Sequence, residues 1–89
     1  MGVRARRRGA PLAEEPLVTV EAVGRKCPIP IIMLAGRIRE VPIGSVIAVT
    51  ADDPAARADI PSWCRMKMQE FVAEVPLEQG SAFHIRRMY

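Results

Sequence analysis

Apolar and polar positions change their spacing several times along this chain, and each change marks a predicted element. Residues 1–16 (MGVRARRRGAPLAEEP) carry almost no periodic apolar signal and read as a mostly disordered arm. Order is expected over residues 17–89. Leu17, Val18, Val20 and Val23 predict a short strand that Gly24 breaks. Ile31, Leu34, Ile38 and Val41 then recur at intervals of three, four and three, which puts them on one helix face. Proline is tolerated in the first turn of a helix, where amide hydrogens have no intrahelical partner. Pro28 and Pro30 fit there, which sets Cys27 at or beside the N-cap. Pro42 and Gly44 end the helix.

The β-branched run Val46-Ile47-Ala48-Val49-Thr50 predicts a buried strand. Asp52-Asp53-Pro54 follows it and signals a helix start, because an aspartate side chain accepts hydrogen bonds from first-turn amides. The segment to about Met68 is helical in character. Asp59-Ile60-Pro61 repeats the same signal inside it, which predicts a break and a fresh start over residues 62–69. Residues 70–77 alternate Phe71, Ala73 and Val75 against polar neighbours, Gln79-Gly80-Ser81 turns, and residues 82–88 return as a second strand. The order is β-α-β-α-β-β. The fold class is therefore α+β, a two-layer sandwich with two helices on one face of a four-stranded sheet.

Size and charge narrow the function classes. An 89-residue chain forms one small domain that hides only about 60–65% of its unfolded surface. A deep substrate cavity is not expected, which favours a carrier or binding module with its reactive group near the surface. The net charge of +3 is uneven: residues 1–16 hold Arg4, Arg6, Arg7 and Arg8 against Glu14 and Glu15, and the rest is nearly neutral. The basic cluster reads as a solvated arm, with weak attraction to nucleic acid or an acidic partner as the second reading. No apolar run follows the early arginines and none approaches the ~20 residues a membrane helix needs. A cytosolic protein with reduced thiols and no membrane association is expected.

Two cysteines are too few for a disulfide framework or a zinc site. Cys27 is the stronger chemical candidate. A helix N-terminus can lower a thiol from its usual value of about 8.5 toward the neutral range. Arg25 and Lys26 add positive charge next door, while Pro28 and Pro30 stiffen the turn. Cys27 also reads as a small buried hydrophobe at a strand–helix junction. Asp53 reads as a helix cap or as a residue of the surface beside Cys27. If it lies close, its charge opposes the thiolate, so docking suits it better than base catalysis. Cys64 reads as a core residue, with a resolving thiol as the lesser reading. His84 reads as a solvent-facing strand residue. Met66 and Met68 read as core or rim filler rather than a copper site.

From Val20 to Tyr89 the chain resembles the TusA/SirA family of small sulfur-carrier proteins. The resemblance rests on Gly24-Arg25-Lys26-Cys27-Pro28-Ile29-Pro30, on Pro42-Ile43-Gly44, and on Asp52-Asp53-Pro54 in register 25 residues after the cysteine. Asp59-Ile60-Pro61-Ser62-Trp63-Cys64 and the closing strand pair complete it. It implies a four-stranded mixed sheet in a β-α-β-α-β-β sandwich similar to the C-terminal domain of translation initiation factor three. It also implies that Cys27 accepts sulfane sulfur as a persulfide, from a cysteine desulfurase or rhodanese-like protein, and passes it to an acceptor protein. Arg25, Lys26, Pro28 and Pro30 support it, Asp53 belongs to the docking surface, and no cofactor or metal is needed.

Two positions depart from the family pattern. Glu21 replaces an aspartate three residues before the glycine. Ala35 and Gly36 replace a Lys/Arg pair, with Arg37 one place on. Charged rim residues steer docking, so partner identity does not carry over with the thiol chemistry. Two rival readings use the same residues. One is a regulatory or nucleic-acid-associated module with a structural Cys27. The other is a thiol-redox switch between Cys27 and Cys64, which requires α-carbons within about 7 Å.

Overall fold

A computed structural model describes residues 15–89; the expected arm lies, through residue 14, outside the described residues. Six regular elements follow: β1 (Pro16–Glu21), α1 (Ile29–Arg37), β2 (Val46–Ala51), α2 (Ala56–Met66), β3 (Glu70–Pro76) and β4 (Ser81–Arg86). The sheet order is β1-β2-β4-β3. β1 and β2 run parallel, joined through α1, and the other neighbours are antiparallel. This is the expected α+β sandwich on a four-stranded mixed sheet.

The core lies between the sheet and the two helices. Val20, Ile47, Val49, Phe83 and Ile85 face Leu34, Ile38, Ile60 and Trp63 across it. Ile31, Leu34, Ile38 and Val41 all turn inward as their spacing predicts, with Ile31 only partly buried. α1 does not run straight to Val41. It tightens into a 3-10 turn at Ile38–Glu40 and gives way to extended backbone at Val41. Pro42 is the cause, since the residue before a proline is driven out of the helical region.

Two expectations change. α2 is continuous through Pro61, so the break predicted at Asp59-Ile60-Pro61 is absent. Pro61 forfeits only the bond its N–H would give the Arg57 carbonyl, and residues 57–59 lie on the exposed side where water can replace it. Ala56, Ile60, Trp63 and Cys64 form one buried stripe across the proline. Each large apolar side chain on such a stripe contributes about 1.5–3 kcal/mol on burial. In β3 the simple alternation is interrupted by an irregular register between Phe71 and Ala73. Phe71 pairs with Ile85 on the core face, whereas Ala73 pairs with His84 on the other. One extra residue exchanges the faces of everything beyond it. Glu74 is thereby turned toward α2, where it meets Arg57 at 2.9 Å.

Both parallel strands end at the same edge of the sandwich, so the loops that open α1 and α2 lie side by side there. The β3–β4 turn reaches the same edge, because Pro76 and Ser81 pair beside Ala51. Gly80 seals that junction. Its φ is +75°, and a Cβ there would collide with the Ala51 carbonyl and approach Asp52 Cα to 2.8 Å. Only glycine accepts both conditions.

Candidate functional site around Cys27

The loop carrying Cys27 is held almost wholly through its backbone. Ala22 N–H donates to the carbonyl of Thr50 (3.0 Å) and to its hydroxyl (3.1 Å), which extends β1 by one residue. Arg25 N–H then donates to the Ala22 carbonyl across a turn with Gly24 at φ +90°, a conformation of low cost only for glycine. The Gly24 N–H donates to Asp52 Oδ1 at 2.9 Å, and the Cys27 N–H to Asp53 Oδ2 at 2.9 Å. The Cys27–Pro28 peptide bond is cis, and Pro28 forms the N-cap of α1. Cys27 therefore lies beside the N-cap, as the proline spacing predicts.

Asp52 and Asp53 act as a two-pronged clamp. One oxygen of each carboxylate takes an amide of the cysteine loop. The other oxygen of Asp52 accepts from the Gln79 side chain at 2.8 Å, and that of Asp53 from the Ala55 N–H at 3.0 Å. The cysteine loop, the start of α2 and the β3–β4 turn are thus tied through two adjacent residues. Both carboxyls sit below the usual aspartate range. For Asp52 the Gly24 amide is the main cause, and for Asp53 the Ala55 amide followed by that of Cys27. Asp53 lies two residues before Ala55, the N-cap of α2, which has no side-chain cap bond; one of its oxygens takes the Ala55 amide and the other the Cys27 amide.

Cys27 is half-buried and rests against the core edge. Its thiol is pushed above the ordinary cysteine value. Loss of hydration is the main cause, followed by the charges of Asp59 and Asp53 and a hydrogen bond to Asp59. This corrects the expectation that helix-start placement lowers it. Cys27 precedes the helix instead of capping it, its own amide is committed to Asp53, and Pro30 supplies no N–H to the first turn. Two carboxylates face the sulfur, and each disfavours the thiolate. Arg25 and Lys26 are exposed. They line a cleft of about 290 Å³ together with Gly24, Asp52, Asp53 and Pro54. Lys26 acts on Asp53 and does not figure among the charges that move the thiol.

Pro28 is exposed and Pro30 is buried beneath the turn. Ile29 and Ile32 project from the first turns of α1, and Ala35 and Gly36 continue that exposed side. The face beside the sulfur stays uncharged until Arg37, whose guanidinium is bound by both oxygens of Glu40 at 2.9 and 3.0 Å. Cys64 is closed in the core, where burial pushes its thiol up to about 11. Both cysteines are free, and a redox pair lacks an accessible second sulfur. His84 is partly exposed on the sheet face away from the helices, between Ala48 and Ala73.

Asp52 and Asp59 are the site residues that sequence reasoning did not single out. The signal for Asp52 was its place in Asp-Asp-Pro, since two adjacent carboxylates exceed what one helix cap needs. Asp59 stood in the Asp59-Ile60-Pro61 signal, which pointed to a helix start and not to the sulfur.

Comparison with known proteins shows the family and the fold. The family model described as sulfurtransferase TusA matches residues 18–87. The sulfur carrier protein TusA of Pseudomonas savastanoi pv. phaseolicola is 41% identical over 68 residues, covering 76% of this chain and 81% of the relative. That of Pseudomonas syringae pv. syringae is 40% identical over the same span. The crystal structure of a SirA-like protein from Desulfitobacterium hafniense superposes with a TM-score of 0.64 at 20% identity, over 79% of this chain and 95% of that one. The structural match carries the fold, and the family match spans the cysteine loop and the Asp52–Asp53 pair. The chain thus belongs to the TusA family of sulfur carriers.

Proposed function

We propose that Cys27 accepts a sulfane sulfur as a persulfide from a donor protein and relays it to an acceptor protein. The observation that carries this reading is a half-exposed thiol on a loop whose backbone is clamped by Asp52 and Asp53. A donor of the cysteine desulfurase or rhodanese-like class can bring its own persulfide onto such a surface. Cys27 Sγ then bonds to the donor's outer sulfur, the donor's S–S bond breaks, and the released donor thiolate takes the proton that Cys27 gives up. The second transfer repeats the exchange with Cys27 as donor. No net oxidation occurs.

The raised thiol has a part in this scheme. Between transfers Cys27 stays protonated against Asp59, which limits its reaction with small oxidants. A donor that places a cation beside Asp59 and Asp53 relieves their opposition and frees the thiolate on docking. Arg25, Lys26, Ile29, Ile32 and Asp53 form the rim that such a partner meets, and Pro28 and Pro30 hold its shape. The exchange suits the reducing cytosol.

The direct test is incubation with cysteine and a cysteine desulfurase, followed by mass spectrometry of the intact chain and its peptides. One reducible sulfur on Cys27 is the expected product. Its absence, or its persistence in Cys27→Ser, rejects the reading.

A further inference from the structure

The sandwich has two ends of opposite character. The Cys27 end, built from residues 21–26, 51–59 and 74–80, holds six carboxylates and three cations, a net of −3. The far end is built from the entry to β1 (15–17), the α1–β2 connection with the end of α1 (37–45), the α2–β3 connection (65–70) and the residues after β4 (86–89). Among the described residues, Arg37, Arg39, Arg65, Lys67, Arg86 and Arg87 share that end with Glu15, Glu40 and Glu70. Glu40 and Glu70 are taken up by Arg37 and Arg86. Arg39, Arg65 and Lys67 meet no carboxylate among the described residues.

Cations near helix C-termini are ordinary, because they complement the helix dipole. The apolar residues among them are not explained that way. Ile43 is 65% exposed, Met66 72%, Met68 64% and Tyr89 64%, and all four belong to this end. Met68 is the most telling. α2 closes with the paired bonds of a Schellman motif, Gln69 N–H to the Cys64 carbonyl (2.9 Å) and Met68 N–H to the Arg65 carbonyl (3.3 Å). The residue at the left-handed position is normally glycine. Here it is Met68 at φ +57°. A long apolar side chain is held in water at a position where both backbone strain and exposure disfavour it.

We infer that this far end is a docking surface for a partner protein that presents an amphipathic helix with an acidic polar face. The cations outside ion pairs select negative charge, and the methionines adapt to an apolar helix face. Attachment here leaves Cys27, at the opposite end, free to exchange sulfur. The inference stands apart from the persulfide reading, since it uses none of the same residues.

The test uses the full chain, 15N-labelled, and three synthetic helical peptides that share one leucine face. Their polar faces are acidic, neutral or basic. The acidic peptide is expected to bind most tightly, to shift amides of residues 39–43 and 65–68, and to weaken as salt rises. Met68→Gly, which relieves the left-handed strain, is expected to fold at least as well and to bind about tenfold more weakly. Ile43→Ser should weaken binding too. Leu77→Ser at the Cys27 end, and Cys27→Ser, should bind as the unaltered chain does. Equal binding of the three peptides, shifts confined to the Cys27 end, or an unchanged affinity in Met68→Gly overturns the inference. So does a preference for phosphatidylglycerol vesicles over the acidic peptide. Self-association in sedimentation experiments that Met68→Gly abolishes assigns the surface to a second copy and overturns it equally.

Discussion

At the scale of single residues, the chemistry turns on what surrounds one sulfur. Cys27 faces Asp59 and Asp53 and loses part of its hydration, and all three effects hold the proton on the thiol. Asp59→Asn removes one of the two charges facing the sulfur, so it should lower the Cys27 pKa. Alkylation by iodoacetamide near pH 7 should then accelerate several-fold, because each unit of pKa shift changes a small thiolate fraction about tenfold. The unaltered protein should keep gaining rate above about pH 9.5, where an unperturbed thiol of pKa about 8.5 has levelled off. Cys64, raised to about 11 and buried, should stay unlabelled throughout and react only after unfolding. Mass mapping of both cysteines against pH checks each statement. A rate that does not change in Asp59→Asn would remove this carboxylate from the site.

At the scale of elements, the site depends on loops that meet at one edge of the sheet. Asp52 ties the cysteine loop to the β3–β4 turn, and that turn fits only because Gly80 presents no side chain to Ala51 and Asp52. Gly80→Ala combines a positive φ with a backbone collision. A cost of about 2–4 kcal/mol is expected in denaturant unfolding. Because the turn also positions Gln79 against Asp52, faster hydrogen exchange at Gly24 should accompany the loss. A normal unfolding midpoint in this variant would contradict the packing described. Periodicity read these elements well where one face was buried and poorly where a special residue intervened. The α1 stripe was legible because Leu34 and Ile38 sit at helical spacing against the sheet. Pro61 misled because its local cost is real, yet Ile60, Trp63 and Cys64 bury enough surface to carry the helix through it. The shift after Phe71 was invisible, since a register depends on the partner strand.

For the whole molecule, acid sensitivity follows from the clamp. Asp52 and Asp53 are depressed by amides they accept only in the folded chain. Their contribution is therefore complete above the unfolded aspartate value of about 3.9 and is lost as pH falls through the folded values. Below about pH 4 the cysteine loop should loosen before the sheet does. The Gly24 and Cys27 amide resonances should move together with that titration, while core amides such as those of Val49 and Ile85 hold. Simultaneous loss of all signals would show that the clamp has no local role. In a core this small, Leu34→Ala should cost about 2–5 kcal/mol, a large part of the 5–15 kcal/mol typical of such domains. It should reduce persulfide uptake through the population of folded protein.

The sequence alone determined the element order, the face of α1 that packs, the cysteine most suited to chemistry and the family resemblance, because these are local patterns of spacing and residue type. It also set Asp53 just before the second helix, where it accepts the Ala55 N–H. Only the tertiary structure decided that Asp53 and Asp52 reach across 26 and 28 positions to Cys27 and Gly24, that Asp59 faces the sulfur, and that the thiol is raised instead of lowered. Those results depend on the parallel pairing of β1 with β2, which sets two helix starts side by side. A thiol's ionisation is governed by charges within a few ångströms, and distance in space is what a linear pattern of residues does not contain.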